Sequence, residues 1–497
     1  MLALLGGNLW MPSLDDLAML GPLWSLAGTI VAVLLAALVV GRNWRVSGLL
    51  AIAGGAVTAI LAGRSAAQLD GNWAGFAHAG GPPMLVLDQF SMFFMLLLGV
   101  FVTAICGMWC LGQHAARADL VARRSDAAEF FVLLFGSAFG MALMVCTTNL
   151  LMIILAVETA SLPSYALVGF HKKHRPAAEA SMKYVLFGAV TSAVMIYGVS
   201  LLYGQYHTLD LVQIGHDVAL QVAGGAGPTV LTGVSLFALM VGVCFKVSAV
   251  PFHFWCPDVF EGASIEVTTW LSVASKAAGL GLLLRIVCVM TATVNSATAV
   301  AWVAFAVAIM AAVTCTVGNL SAYWQTNLKR LLAFSSIAHA GYMLMAVAII
   351  WRPVGPLTGM AHPAFSAVVA YLSVYMLMNL GAFGVVAAVY WATGKETIDA
   401  FNGLARRNPL LAVVMGTCLF SLVGLPFFGG FMVKWYLLVA LYQGGLLWLV
   451  IVAVLNTLLS LYYYARIASA MCFVDDNQPA VRAPVLGGAV LTFCALL

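Results

Sequence analysis

The chain has 497 residues, of which 63% are hydrophobic and only 8% are charged, and its mean hydropathy is +1.03. A soluble domain of this length needs far more charge to cover its surface, so the composition excludes an ordinary soluble protein. The formal net charge of +4 is too small to indicate a nucleic-acid partner. The ten cysteines include no CxxC pair and no Cys/His cluster, so the sequence predicts no metal, iron–sulfur or haem site.

Apolar runs of about 20 residues recur from end to end, and each is long enough to cross roughly 30 Å of hydrocarbon. Backbone polar groups in lipid must be paired within the protein, which leaves a helical bundle or a closed barrel. Barrel strands would alternate apolar and polar residues, and these runs do not alternate. We therefore predict an all-α polytopic membrane protein with about 14 transmembrane helices. The predicted spans are 22–41, 46–63, 88–112, 130–147, 149–170, 180–204, 229–250, 264–290, 296–318, 330–351, 364–391, 408–439, 443–472 and 484–497.

The two ends of the sequence carry further expectations. The N-terminal stretch MLALLGGNLWMPSLDDLAML lacks a basic region, so no cleavable signal peptide is predicted. The last apolar run, 484–497, stops at Leu497 without a polar tail, as expected of a truncated final span.

Lysine and arginine residues are distributed unevenly between the two sides of the predicted membrane. With the N-terminus outside, the external loops hold only Arg64 and Arg352. The cytoplasmic loops hold Arg42, Arg45, Arg117, Arg123, Arg124, Lys172, Lys173, Arg175, Lys329, Arg330, Lys395, Arg406, Arg407, Arg466 and Arg482. This asymmetry predicts an outside N-terminus and supports the span count, because one missed helix would disturb the alternation. The cations left inside spans are Lys183, Lys246, Lys276, Arg285 and Lys434.

Spans four to eight and nine to thirteen form two five-helix units of opposite orientation, because an odd number of spans inverts the second copy. The predicted division is 1–120 for the first three helices, 130–290 for the first repeat, 296–472 for the second repeat and 484–497 for the final helix.

A span interrupted by proline comes fourth in each repeat. One reads FKVSAVPFHFWCPD, with Pro251 after Lys246, and the other reads SLVGLPFFGGFMVKWYLL, with Pro426 before Lys434. Proline removes one helical hydrogen bond and clashes with the preceding turn, so each span is predicted to break there. Broken helices at matching places of inverted repeats indicate an ion path. The alternative is an ordinary proline kink.

Several ionisable residues fall inside the spans, where a charge costs about 2.5–3.5 kcal/mol on insertion scales. Glu158 lies in LLMIILAVETASLPSYAL with no compensating charge within one helical turn, and Lys246 and Lys276 lie in other apolar spans. Lys434 follows the second break, and Lys183 lies near a span start, from which its ammonium can reach the interface. We predict roles in an ion path for all five, with structural pairing between helices as the alternative.

Lysine chemistry supplies the mechanism for such a path. A buried lysine loses its proton more readily, and a nearby carboxylate favours the protonated form. A Glu–Lys pair whose spacing or hydration changes is therefore a proton switch, and a second lysine deeper in the bundle can receive the proton. Arginine cannot take this role, because it stays protonated.

Two histidines are further candidates. His339, in AFSSIAHAGYML, is a predicted relay residue, and the alternative is a core histidine with satisfied hydrogen bonds. His253 follows the first break, where it either caps freed backbone or carries protons. Acidic residues near the start of span eight suit the helix macrodipole, which favours a structural role for them. They are Asp258, Glu261 and Glu266.

The segment FKVSAVPFHFWCPDVFEGASIEVTTWLSVASKAAGLGLLLR resembles the antiporter-like subunits of respiratory complex I, and among them most closely chain N, the mitochondrial ND-two type. Three further stretches agree with it: LLMIILAVETASLPSYALVGF, AAEASMKYVLFGAVTSAVMIYGVSLLYG and GNLSAYWQTNLKRLLAFSSIAHAGYMLMAVAI. The resemblance covers residues 85–475.

This resemblance implies fourteen helices, two inverted five-helix repeats and two discontinuous helices. It implies a proton path in which Glu158 is the acid of the input pair, Lys183 a modulating lysine, Lys246 the pair lysine, Lys276 the central lysine, His339 the relay and Lys434 the output lysine. Related M subunits carry glutamate in place of Lys434, and L and M usually lack a lysine at the position of Lys276. Both differences favour N.

The resemblance further implies a proton-translocating membrane-arm subunit of bacterial NADH–quinone oxidoreductase, located in the inner membrane. Its partners would be the lipid bilayer and neighbouring antiporter-like and small membrane subunits. FMN, iron–sulfur clusters and quinone would belong to other subunits, so no cofactor is expected on this chain.

One stretch departs from the family pattern, and two other functions stay open. The chain reads GASIEVTTW where the family usually reads GAPTPVT, so the conformation of the loop at Ser264 and Glu266 is not predicted. The first alternative function is an Mrp-type cation/proton antiporter or membrane-bound hydrogenase subunit of the same fold. The second is a scaffold in which the charges only lock helices together.

Overall fold

The computed structural model describes residues 14–69, 73–75, 83–115, 126–223, 229–293, 297–350 and 363–474. Within these ranges nearly all of the chain is helical, and twelve helices are long and apolar enough to cross a membrane. Apolar side chains cover the outside of the outer helices, as expected where the neighbour is lipid. The predicted all-α polytopic membrane fold is confirmed.

Nineteen α-helices and one short hairpin occur in the described residues. The helices are α1 (Leu14–Met19), α2 (Gly21–Val39), α3 (Trp44–Gln68), α4 (Gln89–Ala115), α5 (Ala127–Val145), α6 (Leu150–Val168), α7 (Arg175–Tyr206), α8 (Leu211–Ala223), α9 (Val230–Val247), α10 (Trp255–Gly262), α11 (Ile265–Trp270), α12 (Lys276–Thr293), α13 (Ala297–Ala322), α14 (Leu328–Val347), α15 (Pro363–Thr393), α16 (Leu404–Arg407), α17 (Pro409–Val423), α18 (Gly429–Gln443) and α19 (Leu447–Phe473). A π-helical turn, Leu271–Ser275, joins α11 to α12, and a 3₁₀ turn spans Ile398–Phe401. The strands β1 (Trp73–Gly75) and β2 (Leu85–Leu87) pair antiparallel.

The first eleven predicted spans and the span at 443–472 each coincide with a long helical segment, with ends that differ by no more than five residues. The span predicted at 408–439 is two short helices, α17 and α18. The span predicted at 484–497 lies outside the described residues. The sequence did not predict α8, because its 13 residues are too short for a span.

Helices α9 and α17 stop inside the chain's two interrupted spans, and helix resumes as α10 and α18. Each stops at a residue in the left-handed conformation, Ser248 with φ 63° and Gly424 with φ 84°. The next backbone N–H then bonds the carbonyl five residues back, at 2.9 Å after Ser248 and 3.1 Å after Gly424, as in the Schellman motif. The predicted breaks before Pro251 and Pro426 are confirmed.

The second helix of each predicted repeat begins with an asparagine cap. Asn149 caps α6 and Asn327 caps α14, and each side-chain oxygen accepts hydrogen bonds from N–H groups two and three residues on. The backbone of Asn149 forms an antiparallel bridge with Asp210, and that of Asn327 with Thr397. Each bridge ties the start of a repeat's second helix to the chain that follows its third helix. These shared contacts support two repeats, while the domain bounds stay a prediction.

The helices differ greatly in how much of their surface lies inside the bundle. In the spanning window of α14, 94% of residues are buried, and in that of α11–α12 the share is 89%. The corresponding share is only 28% in α2 and 33% in both α7 and α19. Helices α11, α12 and α14 therefore form the centre, and they carry Lys276 and His339.

A buried ion pair joins α12 to the start of α4. Arg285 donates from Nη1 and Nη2 to the two carboxylate oxygens of Asp88, at 2.6 and 2.9 Å. Arg285 also donates from Nε and Nη2 to the carbonyl of Val145, at 3.1 and 2.6 Å. The two side chains are only 9% and 2% exposed. Arg285, one of the cations inside the predicted spans, therefore links three helices.

Replacing Arg285 with Met should destabilise the fold by about 3–5 kcal/mol, because Asp88 would be left as an uncompensated buried charge. The double variant Arg285→Met/Asp88→Leu should regain part of that loss. Thermal unfolding of the detergent-solubilised protein, compared across both single variants and the double variant, measures the coupling. Strictly additive effects would contradict the ion pair.

Candidate functional site

Lys246 lies in the last turn of α9 and is 4% exposed. Its Nζ donates to Ser161 Oγ at 2.7 Å, and Ser161 is one helical turn beyond Glu158 on α6. The described residues contain no ion pair within 4.0 Å between Lys246 and Glu158. Instead, Glu158 Oε1 is buried and has no hydrogen-bond partner there. The predicted pair is therefore close in the fold, but the amine bonds a hydroxyl rather than the carboxylate.

Aromatic rings surround the Lys246 ammonium. Its Nζ lies 5.8 Å from the ring centroid of Tyr165, 6.0 Å from that of Tyr184 and 5.6 Å from that of Phe245. Ring faces attract a cation through their quadrupole without supplying a full charge. This surrounding accommodates both the charged and the neutral form of the lysine.

Trp255, at the start of α10, contacts the surroundings of both Lys246 and Lys276. Its ring stacks on Tyr184 with centroids 4.5 Å apart, and its Nε1 donates to the carbonyl of Phe245 at 2.9 Å. Lys276 Nζ lies 5.9 Å from the Trp255 centroid. Lys276 directly follows the π-helical turn that joins α11 to α12, and such turns are frequent at functional sites.

Lys276 is fully buried and lacks an acidic partner among the described residues. Its Nζ donates to Cys256 Sγ at 3.7 Å and lies 5.0 Å from the ring centroid of Phe260. A thiol is a weak hydrogen-bond acceptor. The ammonium form of Lys276 is therefore poorly compensated at this position.

His339 lies on α14 with 2% of its surface exposed. Its Nδ1 and the hydroxyl of Tyr371 are 2.7 Å apart, and which of the two donates depends on the tautomer. The rings of Tyr375 and Tyr342 lie 5.1 and 6.0 Å from the imidazole. The histidine is buried with a hydrogen-bonded partner, which is compatible with both the relay and the core interpretation of the sequence.

Lys434 lies in α18, beyond the second break, and is 6% exposed. Its Nζ donates to the carbonyls of Leu422 and Val423, both at 2.9 Å. These carbonyls belong to the last turn of α17, where carbonyl groups lack partners in their own helix and carry partial negative charge. The ring of Tyr342 lies 4.6 Å from the same Nζ, so Tyr342 contacts both Lys434 and His339.

Gly424 allows the lysine to approach the helix end. Its φ of 84° is in the left-handed region that favours glycine. A Cβ built on Gly424 would lie 2.9 Å from Lys434 Cδ. Glycine is required here both by the backbone conformation and by the close approach of the lysine.

Lys183 lies outside this buried row. Its side chain is 40% exposed and forms ion pairs with Glu179 at 2.8 Å and Asp258 at 3.0 Å. Asp258 also pairs with Arg330 at 2.8 Å, and Arg330 reaches Glu261 at 2.6 Å. The cluster ties α7 and α14 to α10, which agrees with the structural role favoured for the two acids. A modulating role for Lys183 stays a prediction.

His253 and Glu266 are the remaining predicted candidates. His253 is 8% exposed, and its Nδ1 has no hydrogen-bond partner among the described residues. Glu266 lies in the first turn of α11 and lines a cavity of 810 Å³ together with Lys329, Glu396 and the loop 170–174. Within that cavity, burial lowers the pKa of His171, and the nearby His174 and Lys329 lower it further.

Several side chains that the sequence analysis did not single out contact the buried lysines and histidine. They are Ser161, Tyr165, Tyr184, Trp255, Cys256, Tyr342 and Tyr371. A weak sequence signal existed for Ser161, which follows Glu158 at the helical spacing of three. Cys256 and the tyrosines carried no such signal, because they come close to the lysines only through packing.

Residues 147–460 match the protein family described as NADH:quinone oxidoreductase/Mrp antiporter, transmembrane. The curated NADH-quinone oxidoreductase subunit N of Anaeromyxobacter sp. (strain Fw109-5) is 42% identical over 421 residues. The aligned residues cover 81% of this chain and 78% of that protein.

Two solved structures have a similar fold. A chain of respiratory complex I from Thermus thermophilus with bound aureothin has a TM-score of 0.75 and 28% sequence identity, covering 96% of this chain and 95% of that one. A chain of the Mrp complex from Dietzia sp. DQ12-45-1b has a TM-score of 0.77 at 21% identity, covering 94% and 82%. The second likeness concerns the fold alone. The family match and the 42% identity show that the chain belongs to the NADH:quinone oxidoreductase/Mrp antiporter membrane-subunit family, among the N subunits of NADH–quinone oxidoreductase.

Proposed function

We propose that this chain translocates protons as a membrane-arm subunit of NADH–quinone oxidoreductase, along a row formed by Glu158, Lys246, Lys276, His339 and Lys434. The observation that carries the proposal is that the three buried lysines of this row have no carboxylate within 4.0 Å among the described residues. Their amines bond neutral groups instead: a serine hydroxyl, a cysteine thiol and two backbone carbonyls.

Several other basic side chains of the described bundle have acidic partners, although Arg466 bonds backbone carbonyls. Lys329, which is as buried as the three lysines, pairs with Glu396 at 2.7 Å. Lys183, Arg285 and Arg330 are paired in the same way. A cation paired with a carboxylate is held in its charged form, whereas a buried lysine with neutral partners has no adjacent countercharge that would hold its proton. The difference in partners separates structural cations from those suited to carry protons.

The positions of these residues also support an order in which protons pass along the row. Glu158 and Lys246 are near the first break, Lys276 and His339 are on the central helices, and Lys434 is at the second break. Trp255 contacts the surroundings of the first two lysines, and Tyr342 contacts both His339 and Lys434. Each remaining gap needs a water or a polar side chain, because rings do not carry protons.

The proposed setting is the inner membrane, with the N-terminus outside and the partners among the other membrane subunits of the complex. The support is the uneven distribution of lysine and arginine and the name of the similar solved structure, respiratory complex I. FMN, iron–sulfur clusters and quinone would be held by other subunits. Electron transfer there would act on this chain over a long distance, through the neighbouring membrane subunits.

Replacing Lys276 with Met should lower proton pumping by the assembled complex roughly a hundredfold, since the central proton acceptor is removed. The rate of pumping is measured as proton uptake into inverted membrane vesicles during NADH oxidation. The exposed Lys395 provides the matched control, because Lys395→Met makes the same chemical change outside the row. A scaffold role predicts normal pumping in both variants, and that result would overturn the proposal.

Lys434→Arg should pump as poorly as Lys434→Met, because arginine keeps its charge next to the two carbonyls but does not release a proton. Comparing the arginine and methionine variants separates the effect of the positive charge at position 434 from the effect of proton release there. Both variants need to be present in the complex at wild-type amounts, checked by immunoblot of the purified assembly. Normal pumping with arginine would refute proton release by Lys434.

Glu158→Gln should reduce coupled pumping while assembly stays intact, because the glutamine keeps the shape but cannot exchange a proton. Since Lys246 bonds Ser161 rather than Glu158, Ser161→Ala should weaken pumping less than Glu158→Gln does. The ratio of protons moved to NADH oxidised, measured in the same vesicles, tests both. A fully coupled Glu158→Gln complex would remove this residue from the row.

A further inference from the structure

The proposed row changes helix between Lys276 on α12 and His339 on α14, and a thiol lies at this crossing. Cys256 Sγ is 3.7 Å from Lys276 Nζ and 3.8 Å from Ser336 Oγ. Both distances are within hydrogen-bond range for sulfur. Ser336 is one helical turn before His339 on α14, so the two side chains lie on the same face of that helix. The thiol thus connects the lysine to the face that carries the histidine.

Cys256 bonds polar side chains, as the buried Cys315 does when it accepts a hydrogen bond from Asn319 at 3.7 Å, and in this it differs from the buried Cys106. Cys256 and Ser336 are both fully buried, on α10 and α14. Cys106 is equally buried, but it lies within the apolar helix α4, and no hydrogen bond joins it to a lysine or serine in the described part of the chain. A buried cysteine without polar contacts behaves as a small hydrophobic residue. Cys256 instead accepts a hydrogen bond from a lysine and shares another with a serine.

A third polar group adjoins this crossing. The ring of Tyr375 lies 5.1 Å from the imidazole of His339. Its hydroxyl is buried, makes no hydrogen bond of standard geometry among the described residues, and lies close to the side chains of Ser336, Asn379 and Cys256. Buried hydroxyl groups normally have a partner, protein or water. The thiol and the two hydroxyls of Ser336 and Tyr375 therefore form a polar cluster inside the otherwise apolar contact of α10, α14 and α15.

We propose that Cys256 is a relay residue that passes protons between Lys276 and His339, which rests on the proton row proposed above. In the forward step, Lys276 Nζ gives a proton to Cys256 Sγ while the thiol hydrogen moves to Ser336 Oγ. The Ser336 hydroxyl, which donates to the Ala333 carbonyl at 2.7 Å in this structure, turns away from that carbonyl and passes its hydrogen through a bridging water to the imidazole. Lys276 ends neutral and His339 ends protonated, while the thiol and the hydroxyl are regenerated with their hydrogen atoms reoriented.

The test compares Cys256→Ala with Cys256→Ser in the assembled complex. Both replacements are smaller than cysteine, so they leave similar space, but only serine donates and accepts hydrogen bonds. We expect proton pumping to fall at least about tenfold with alanine, the factor expected on losing a hydrogen bond to a charged group. Serine should keep most of the wild-type rate. Pumping and NADH oxidation are measured in the same inverted vesicles.

A matched pair of control variants, Cys106→Ala and Cys106→Ser, should give equal rates, because that thiol has only a packing role. Equal losses for alanine and serine at position 256 would indicate packing alone and overturn the relay. Should Cys256→Ala not assemble, Ser336→Ala interrupts the same contact from the other side and should also lower pumping at least about tenfold. Wild-type pumping in that variant would equally overturn the relay.

The Lys276→Met variant distinguishes failure of the relay from failure of the proton row. If Lys276→Met abolishes pumping while Cys256→Ala pumps normally, only the relay is wrong. If Lys276→Met itself pumps normally, the row and the relay are both wrong.

Discussion

The burial of lysine amines with no carboxylate within 4.0 Å among the described residues is the constraint on which the arrangement of this bundle depends. A charge near the centre of a bilayer costs about 2.5–3.5 kcal/mol even on insertion scales. Three lysines are nevertheless buried inside the bundle, where neutral acceptors and aromatic rings surround their amines. A closer carboxylate would lower that cost, but it would also fix the charge. Keeping the partners neutral keeps both protonation states accessible.

Beside each of the two helix breaks, a buried lysine finds neutral hydrogen-bond partners in a different way. In the first repeat the lysine precedes the break, and Lys246 bonds across to Ser161 on another helix. In the second repeat the lysine follows the break, and Lys434 bonds back onto the carbonyls that end α17. The same C-terminal hydrogen-bond pattern closes both half-helices. The same helix-ending hydrogen bond therefore occurs beside two different lysine environments. Aromatic rings and a hydroxyl surround Lys246, whereas backbone carbonyls at a helix end bind Lys434.

Helix α10 connects the buried row to the ion pairs that Asp258 forms with Lys183 and Arg330. It carries Cys256, which contacts Lys276, and two residues later Asp258, which pairs with Lys183 and Arg330. Trp255, at its start, is bonded to the end of α9. The contact of Lys276 and the ion pairs of Lys183 and Arg330 therefore share one eight-residue helix.

The sequence by itself determined the membrane class, the positions of the spans in the described residues, both helix breaks and four buried cations: Lys246, Lys276, Arg285 and Lys434. It also placed Lys183, whose side chain is 40% exposed, inside a span, and it placed the buried Lys329 in a loop. These properties are local: hydropathy over about 20 residues, a proline within a span, a charge in an apolar run. Only the tertiary structure decided which cations have acidic partners. Arg285 meets Asp88 across 197 residues, Lys246 meets Ser161 across 85, and Cys256 meets Ser336 across 80. Such partners are chosen by how helices pack, and no pattern within one helix encodes which residue of a distant helix lies beside a given amine.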